Sequence, residues 1–184
     1  MVENTRPFTH SEPMKRPILP LSLAATLVAG CQKPAAPAAP PPPASLPMPT
    51  RAQPKLQTLK LWLGSEELIT ELALTGIQQQ TGMMFRTNMA ENEAMLFPMP
   101  YNVRASFWMT NCSVPLSVAY IRADGVIQEI HPLQAFNAVP VESATNNIRF
   151  ALETPQGWFD RHNVRTGMVV RTERGPLFDT FFGR

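Results

Sequence analysis

Several things are scarce in this sequence. It has two cysteines, Cys31 and Cys112, in 184 residues, too few for a disulfide framework or a cysteine-based metal site. Its three histidines, His10, His131 and His162, lie far apart. None has a second ligand at metal-binding spacing, and no cofactor motif is present. Charge of one sign is also lacking. The formal net charge is +2, but the balance is uneven. Up to Lys55 there are six Lys/Arg against Glu3 and Glu12; beyond it there are ten against twelve Asp/Glu. The C-terminal portion thus carries no basic footprint, and nucleic acid is not an expected partner. Long apolar runs are missing as well. The stretch Ile18 to Gly30 falls short of the roughly 20 residues that a membrane-spanning helix needs, and it contains Pro20, which suits a first helical turn better than a middle.

Lys15 and Arg16 precede that short apolar stretch, as in a secretory signal. It ends in Val28-Ala29-Gly30-Cys31, which resembles a bacterial lipobox. The resemblance implies cleavage before Cys31 and lipidation of its sulfur and new amino group, so that the membrane is a partner through the lipid. The alternative is a buried N-terminal helix with a core cysteine. Residues 1–30 are therefore expected to be a signal peptide. The polar stretch Met1–Pro13 does not suit an n-region, which points to a start at Met14. Residues 31–55 then form the lipid site and a proline- and alanine-rich linker. Too poor in large apolar residues to fold, the linker is expected to be extended and largely polyproline II. Gln32 is not the aspartate linked to inner-membrane retention, so the expectation is an exported protein on the periplasmic face of an outer membrane where two membranes exist.

Residues 56–184 are expected to form one β-rich domain with short helices, either a β-sandwich or a partly open β-barrel. Thr58–Leu63 alternates with leucine at 59, 61 and 63 and reads as a half-buried strand, with Leu68–Leu74 as its return. Leu74–Thr81 reads as a short helix stopped by Gly82. Met95–Phe97 is a short strand bounded by Pro98 and Pro100, and Ala105–Thr110 is another. Leu116–Arg122 and Val126–His131 form a hairpin around Ala123-Asp124-Gly125. A three-residue loop with Gly125 in the left-handed region pairs Ile121 with Ile127, Val118 with Ile130 and Ser117 with His131. A two-residue turn pairs Val118 with His131 instead. The first register brings more apolar pairs together and is preferred. Ile148–Thr154 and Met168–Thr172 are strands, Pro155–His162 is a helical turn, and the tail phenylalanines either pack on the domain or fray.

Four segments carry a resemblance: Gly82-Met83-Met84-Phe85-Arg86, Glu93-Ala94-Met95-Leu96-Phe97, Ser106-Phe107-Trp108-Met109-Thr110-Asn111 and Val114-Pro115-Leu116. Ala123-Asp124-Gly125, Ile130-His131, Ala151-Leu152-Glu153, Gly157-Trp158 and Gly167 continue it. Together they resemble the bacterial and archaeal domain of unknown function 192 family from about Leu59 to Arg171. The resemblance implies a compact β-rich fold, often exported, with no assigned reaction. Where relatives read Phe-Trp-Met-Lys-Asn-Thr and then Pro-Leu-Asp, this chain has Thr110, Cys112 and Ser117. A charged donor and a carboxylate are absent together: if they form a catalytic acid–base pair in relatives, this chain has lost it, and if they form an ion pair beside a groove, losing both leaves a neutral site that can still bind.

The expected ligand-binding residues are Arg86, Trp108, Asn111, Ser117 and His131. Arg86 could anchor a carboxylate, sulfate or sugar hydroxyl through its planar fork, or form a salt bridge to Glu153 or Glu91. Trp108 and Phe107 face opposite sides of a strand; an exposed indole would offer a platform for a sugar ring, and the alternative is that both rings are buried between layers. Asn111 either contacts ligand or bonds backbone in a turn. Cys112 with His131 would make a nucleophile pair only if the two met; otherwise Cys112 is a buried thiol. No catalytic residue is assigned. The reading is a lipid-anchored envelope protein that binds a small polar molecule or glycan. The alternatives are a module that binds another envelope protein, and a hydrolase or transferase, for which no acid, base and nucleophile converge.

Overall fold

The computed structural model describes residues 47–183. The expected signal segment, Cys31 and the linker up to residue 46 lie outside the described residues.

β1 (Thr58–Leu63) and β2 (Glu66–Leu72) form an antiparallel hairpin with Leu61 opposite Leu68. Alternation turns Leu59, Leu61 and Leu63 inward, as the period of two requires. α1 (Gly76–Thr81) starts at a capping box between Thr75 and Gln78 and stops at Gly82, whose φ is +44°. Gln53 donates to the carbonyls of Gln78 and Gly82 at its far end.

β3 (Glu93–Val103) is longer than the short strand expected at 95–97 and runs through both prolines. Its pairing explains why they are tolerated. Met95 to Pro98 pair with one neighbour, and the ladder then breaks until Val103. The prolines lie at and within that break, where fewer backbone N–H groups are required. β4 is only Ser106–Phe107, not the six residues expected. The chain leaves the strand after Phe107 because Met109 N–H bonds to the Asn137 carbonyl and Cys112 N–H turns back to Met109.

β5 (Leu116–Arg122) and β6 (Ile127–Leu133) form the expected hairpin. Gly125 has φ +81°, and a Cβ there would meet the Val170 carbonyl at 3.0 Å. The register needs correction. Ile121 opposes Ile127 as expected, but a bulge follows, and beyond it Ala119 opposes Ile130, Val118 opposes His131 and Ser117 opposes Pro132. The extra residue is Gln128. With it, Ile127 and Ile130 both turn to the same core, which neither unbroken register allows. Ser117 and His131 are therefore not a pair.

β7 (Val141–Glu142) pairs with β4 in a small second sheet. The remaining elements are β8 (Ile148–Pro155), α2 (Trp158–Arg161), β9 (Val170–Thr172), β10 (Gly175–Pro176) and α3 (Leu177–Phe182). The main sheet has eight strands in the order β10-β9-β1-β2-β3-β8-β5-β6. Within it β2 and β3 are parallel and every other pair is antiparallel. It curls until the start of β6 meets the approach to β9: Ile127 N–H bonds to Met168 O, Gly167 N–H to Ile127 O and Val170 N–H to Gly125 O. The result is a curled half-barrel, the partly open barrel of the two architectures expected.

Both faces of the sheet are covered. One core contains Leu61, Leu96, Ile121, Phe150, Trp158 and Leu177, closed by α2 and α3. The other contains Met83, Met95, Phe97, Met109, Val118 and Tyr120, closed by the segments after α1, after β4 and after β6. Burying one such large side chain contributes about 1.5–3 kcal/mol.

A candidate cavity beneath Trp108

On the second face, a cavity of about 180 Å³ opens between the end of α1, β3, the chain after β4, and β8. The left-handed turn at Gly82 carries Met83 and Met84 into its wall. Phe97 and Phe107 meet edge to face, with centroids 5.0 Å apart. The indole of Trp108 is 48% exposed at the mouth. The loop that presents it is pinned from two sides: Phe85 N–H donates to the Asn111 carbonyl, and Phe136 N–H donates to that of Cys112.

Glu153 lines the inner part of this cavity. It stands on β8 between Met95 of β3 and Val118 of β5, so two strands flank it and a core covers it. It is 4% exposed, and its Oε2 is buried without a hydrogen-bond partner. Burial pushes the carboxyl up to about 8, because low dielectric disfavours the charged form. Cys112, also in the wall, is pushed up to about 11 by burial and then by the nearby Glu153, and its Sγ donates to the Val114 carbonyl. Both groups are thus chiefly neutral at pH 7. Among the lining residues there is no Lys, Arg or His.

Of the five expected binding residues, Trp108 lines this cavity, and Asn111 stands between two lining residues, Thr110 and Cys112, with φ +58°. The other three lie elsewhere. Arg86 forks onto Glu71, Nη1 to Oε1 at 2.6 Å and Nη2 to Oε2 at 2.8 Å, and its partner is neither Glu153 nor Glu91. Glu91 instead receives Arg161 and His162. Burial alone would raise Glu71, but the Arg86 hydrogen bonds and the Leu56 N–H hold it below the ordinary carboxylate range. Ser117 Oγ accepts from Gly157 N–H at 2.9 Å on the opposite face. His131 Nε2 lies 2.9 Å from Glu129 and does not meet Cys112.

The sequence reading placed Glu153 only as a salt-bridge candidate. Its signal is a carboxylate directly after the apolar run Phe150-Ala151-Leu152, a position that needs a partner if both faces of the strand are covered.

The family profile described as DUF192, Uncharacterized ACR, matches residues 61–172. A Sinorhizobium meliloti 1021 protein, described as a "putative transcription regulator", is 26% identical with a TM-score of 0.62, over 66% of this chain and 98% of its own. A Novosphingobium aromaticivorans DSM 12444 protein of unknown function is 27% identical with a TM-score of 0.60, over 63% of this chain and 86% of its own. No curated protein matches.

Proposed function

We propose that this chain, which belongs to the DUF192 family, is a lipid-anchored cell-envelope protein whose domain binds a small polar molecule or sugar in the cavity beneath Trp108. One observation carries the binding reading: a fully buried carboxyl group with an unpartnered oxygen lines a cavity whose mouth is a half-exposed indole. An unmade hydrogen bond at a buried group costs about 1–3 kcal/mol, and a ligand that supplies the donor recovers it. The exposed indole face offers stacking for an apolar ring surface. The anchor rests on Lys15-Arg16, the short apolar stretch and Val28-Ala29-Gly30-Cys31. Replacing Cys31 with serine is expected to move the protein from the membrane to the soluble fraction. A nucleic-acid role is not proposed, because residues 56–184 carry ten Lys/Arg against twelve Asp/Glu.

The test is a thermal-shift panel of sugars, amines and organic acids on the full chain. A ligand well above its dissociation constant stabilises the fold by about 2–4 kcal/mol. Trp108→Ala is expected to abolish that shift while changing the unliganded melting point little, since the ring is half exposed. A panel without response, or one unaltered by Trp108→Ala, overturns the reading.

One observation favours a second reading, a protein-interaction module. Phe85 and Phe136, both in left-handed backbone conformations, are exposed with Trp108 around the same loop. Crosslinking in intact cells that captures one envelope protein through this rim would support it.

A further inference from the structure

The same cavity restricts the chemistry of what enters it. We propose that the group recognised beside Glu153 is the ammonium head of a short aliphatic primary amine, its carbon stem lying between Trp108, Phe107 and Met109. This rests on the cavity reading above and narrows it.

Four observations lead there. Glu153 Oε2 has no hydrogen-bond partner in the protein, so a ligand that ionises the carboxyl must bring the donor that satisfies it. No basic side chain lines the cavity. An anionic ligand would therefore find no counter-charge in this wall, whereas an ammonium gains one when the Glu153 carboxyl gives up its proton. Beside its polar residues, the wall holds three aromatic rings and three thioethers, from Phe97, Phe107, Trp108, Met83, Met84 and Met109. Aromatic faces attract cations, most strongly where water is excluded, and methionine adapts to an alkyl stem. Finally, about 180 Å³ lies below the ~300–1,000 Å³ of sites that enclose drug-sized ligands. A four- or five-carbon stem suits that space, and an oligosaccharide does not enter it whole.

The proton balance is specific. The titratable groups whose charge states couple to Glu153 are the Cys112 thiol and the Tyr120 phenol, the latter donating to the Val141 carbonyl. Burial raises both above their ordinary values, so neither takes up a proton displaced at neutral pH. When the ammonium arrives, the Glu153 carboxylic acid becomes a carboxylate, the ion pair forms, and the proton leaves to solvent. Nothing is oxidised and no covalent bond to the ligand forms. Binding therefore releases nearly one proton per amine at pH 7, and progressively fewer as the pH rises past 8.

Isothermal calorimetry of the full chain with n-butylammonium chloride tests this at pH 7, in two buffers of different ionisation heat. The expected result is saturable binding with nearly one proton released. n-Butanol and butyrate should bind at least about tenfold more weakly, and Glu153→Gln should weaken n-butylammonium by about tenfold or more. The buffer comparison needs no variant, so it stands even if the substitution perturbs folding. Equal binding of n-butanol, or binding without proton release, overturns the inference. A sugar that stabilises the wild type but not Trp108→Ala, with no response to n-butylammonium, overturns the ammonium inference and leaves the cavity reading intact. No response to either class overturns both.

Discussion

Glu71 and Glu153 are both buried glutamates, and their surroundings push them in opposite directions. Glu71 receives the Arg86 fork and the Leu56 N–H and is held low. Its folded value lies below its unfolded one, so its contribution is present above about pH 4.5 and is lost as pH falls further. Arg86→Ala strands that carboxylate and is expected to destabilise the domain by about 3–5 kcal/mol at pH 7, read as a lowered urea midpoint. The loss should shrink as the pH falls and Glu71 takes up a proton. Glu153 has no partner and is raised to about 8. The folded state therefore holds a proton that the unfolded state releases above its ordinary value, and stability falls as pH rises from about 4.5 to about 8. The ceiling of that loss is about 5 kcal/mol. Glu153→Gln is expected to match the wild type at pH 5 and exceed it at pH 9; equal pH dependence in the two would show that the carboxyl is ionised in the fold throughout. The sequence could not rank these two residues. Both sit in apolar stretches, and only three-dimensional pairing gives one of them an arginine.

Strands whose pattern depends on their own residues were legible, and strands whose limits depend on a partner were not. Thr58–Leu63 was legible because alternate leucines suffice to define one buried face. β3 was not, because its prolines argue against a strand until the break in its pairing with β8 is known. The hairpin is the sharpest case. The three-residue loop sets Ile121 against Ile127, the other register sets Ala119 against Ile130, and the structure keeps both pairings by inserting Gln128 between them. Gln128 leaves one side-chain oxygen buried without a partner and places one amide on Thr145. Deleting Gln128 restores strict alternation, with Ile127, Ile130 and Leu133 on their present faces. The expected cost is at most about 1–2 kcal/mol, the value of the lost side-chain hydrogen bond and local twist. Deleting Ala119 from β5 instead reverses the residues beyond it in a strand paired on both sides, and should abolish folding. Circular dichroism and thermal melts of the two deletions separate these outcomes.

At the scale of the molecule, one curled sheet separates two jobs. Its first face is plugged by α2 and α3, where Phe181 and Phe182 pack on Phe150 and Arg149 lies over the Phe182 ring at 4.0 Å. Its second face carries the cavity, the Trp108 loop and Glu153. The phenylalanine-rich tail thus packs on the domain, an alternative the sequence had left open because apolar content does not say where a terminal helix lands. Mutations on the two faces that share no partner should act additively. Ending the chain after Pro176 removes the buried Leu177 and both rings from the first core and is expected to cost at least about 3 kcal/mol, a drop of roughly 10 °C or more in melting point. Binding at the second face, measured well below that melting point, should keep its affinity within about twofold. A parallel loss of affinity at low temperature would mean that the two cores move together, and that the α3 plug, though on the far side of the sheet, helps to hold the cavity in shape.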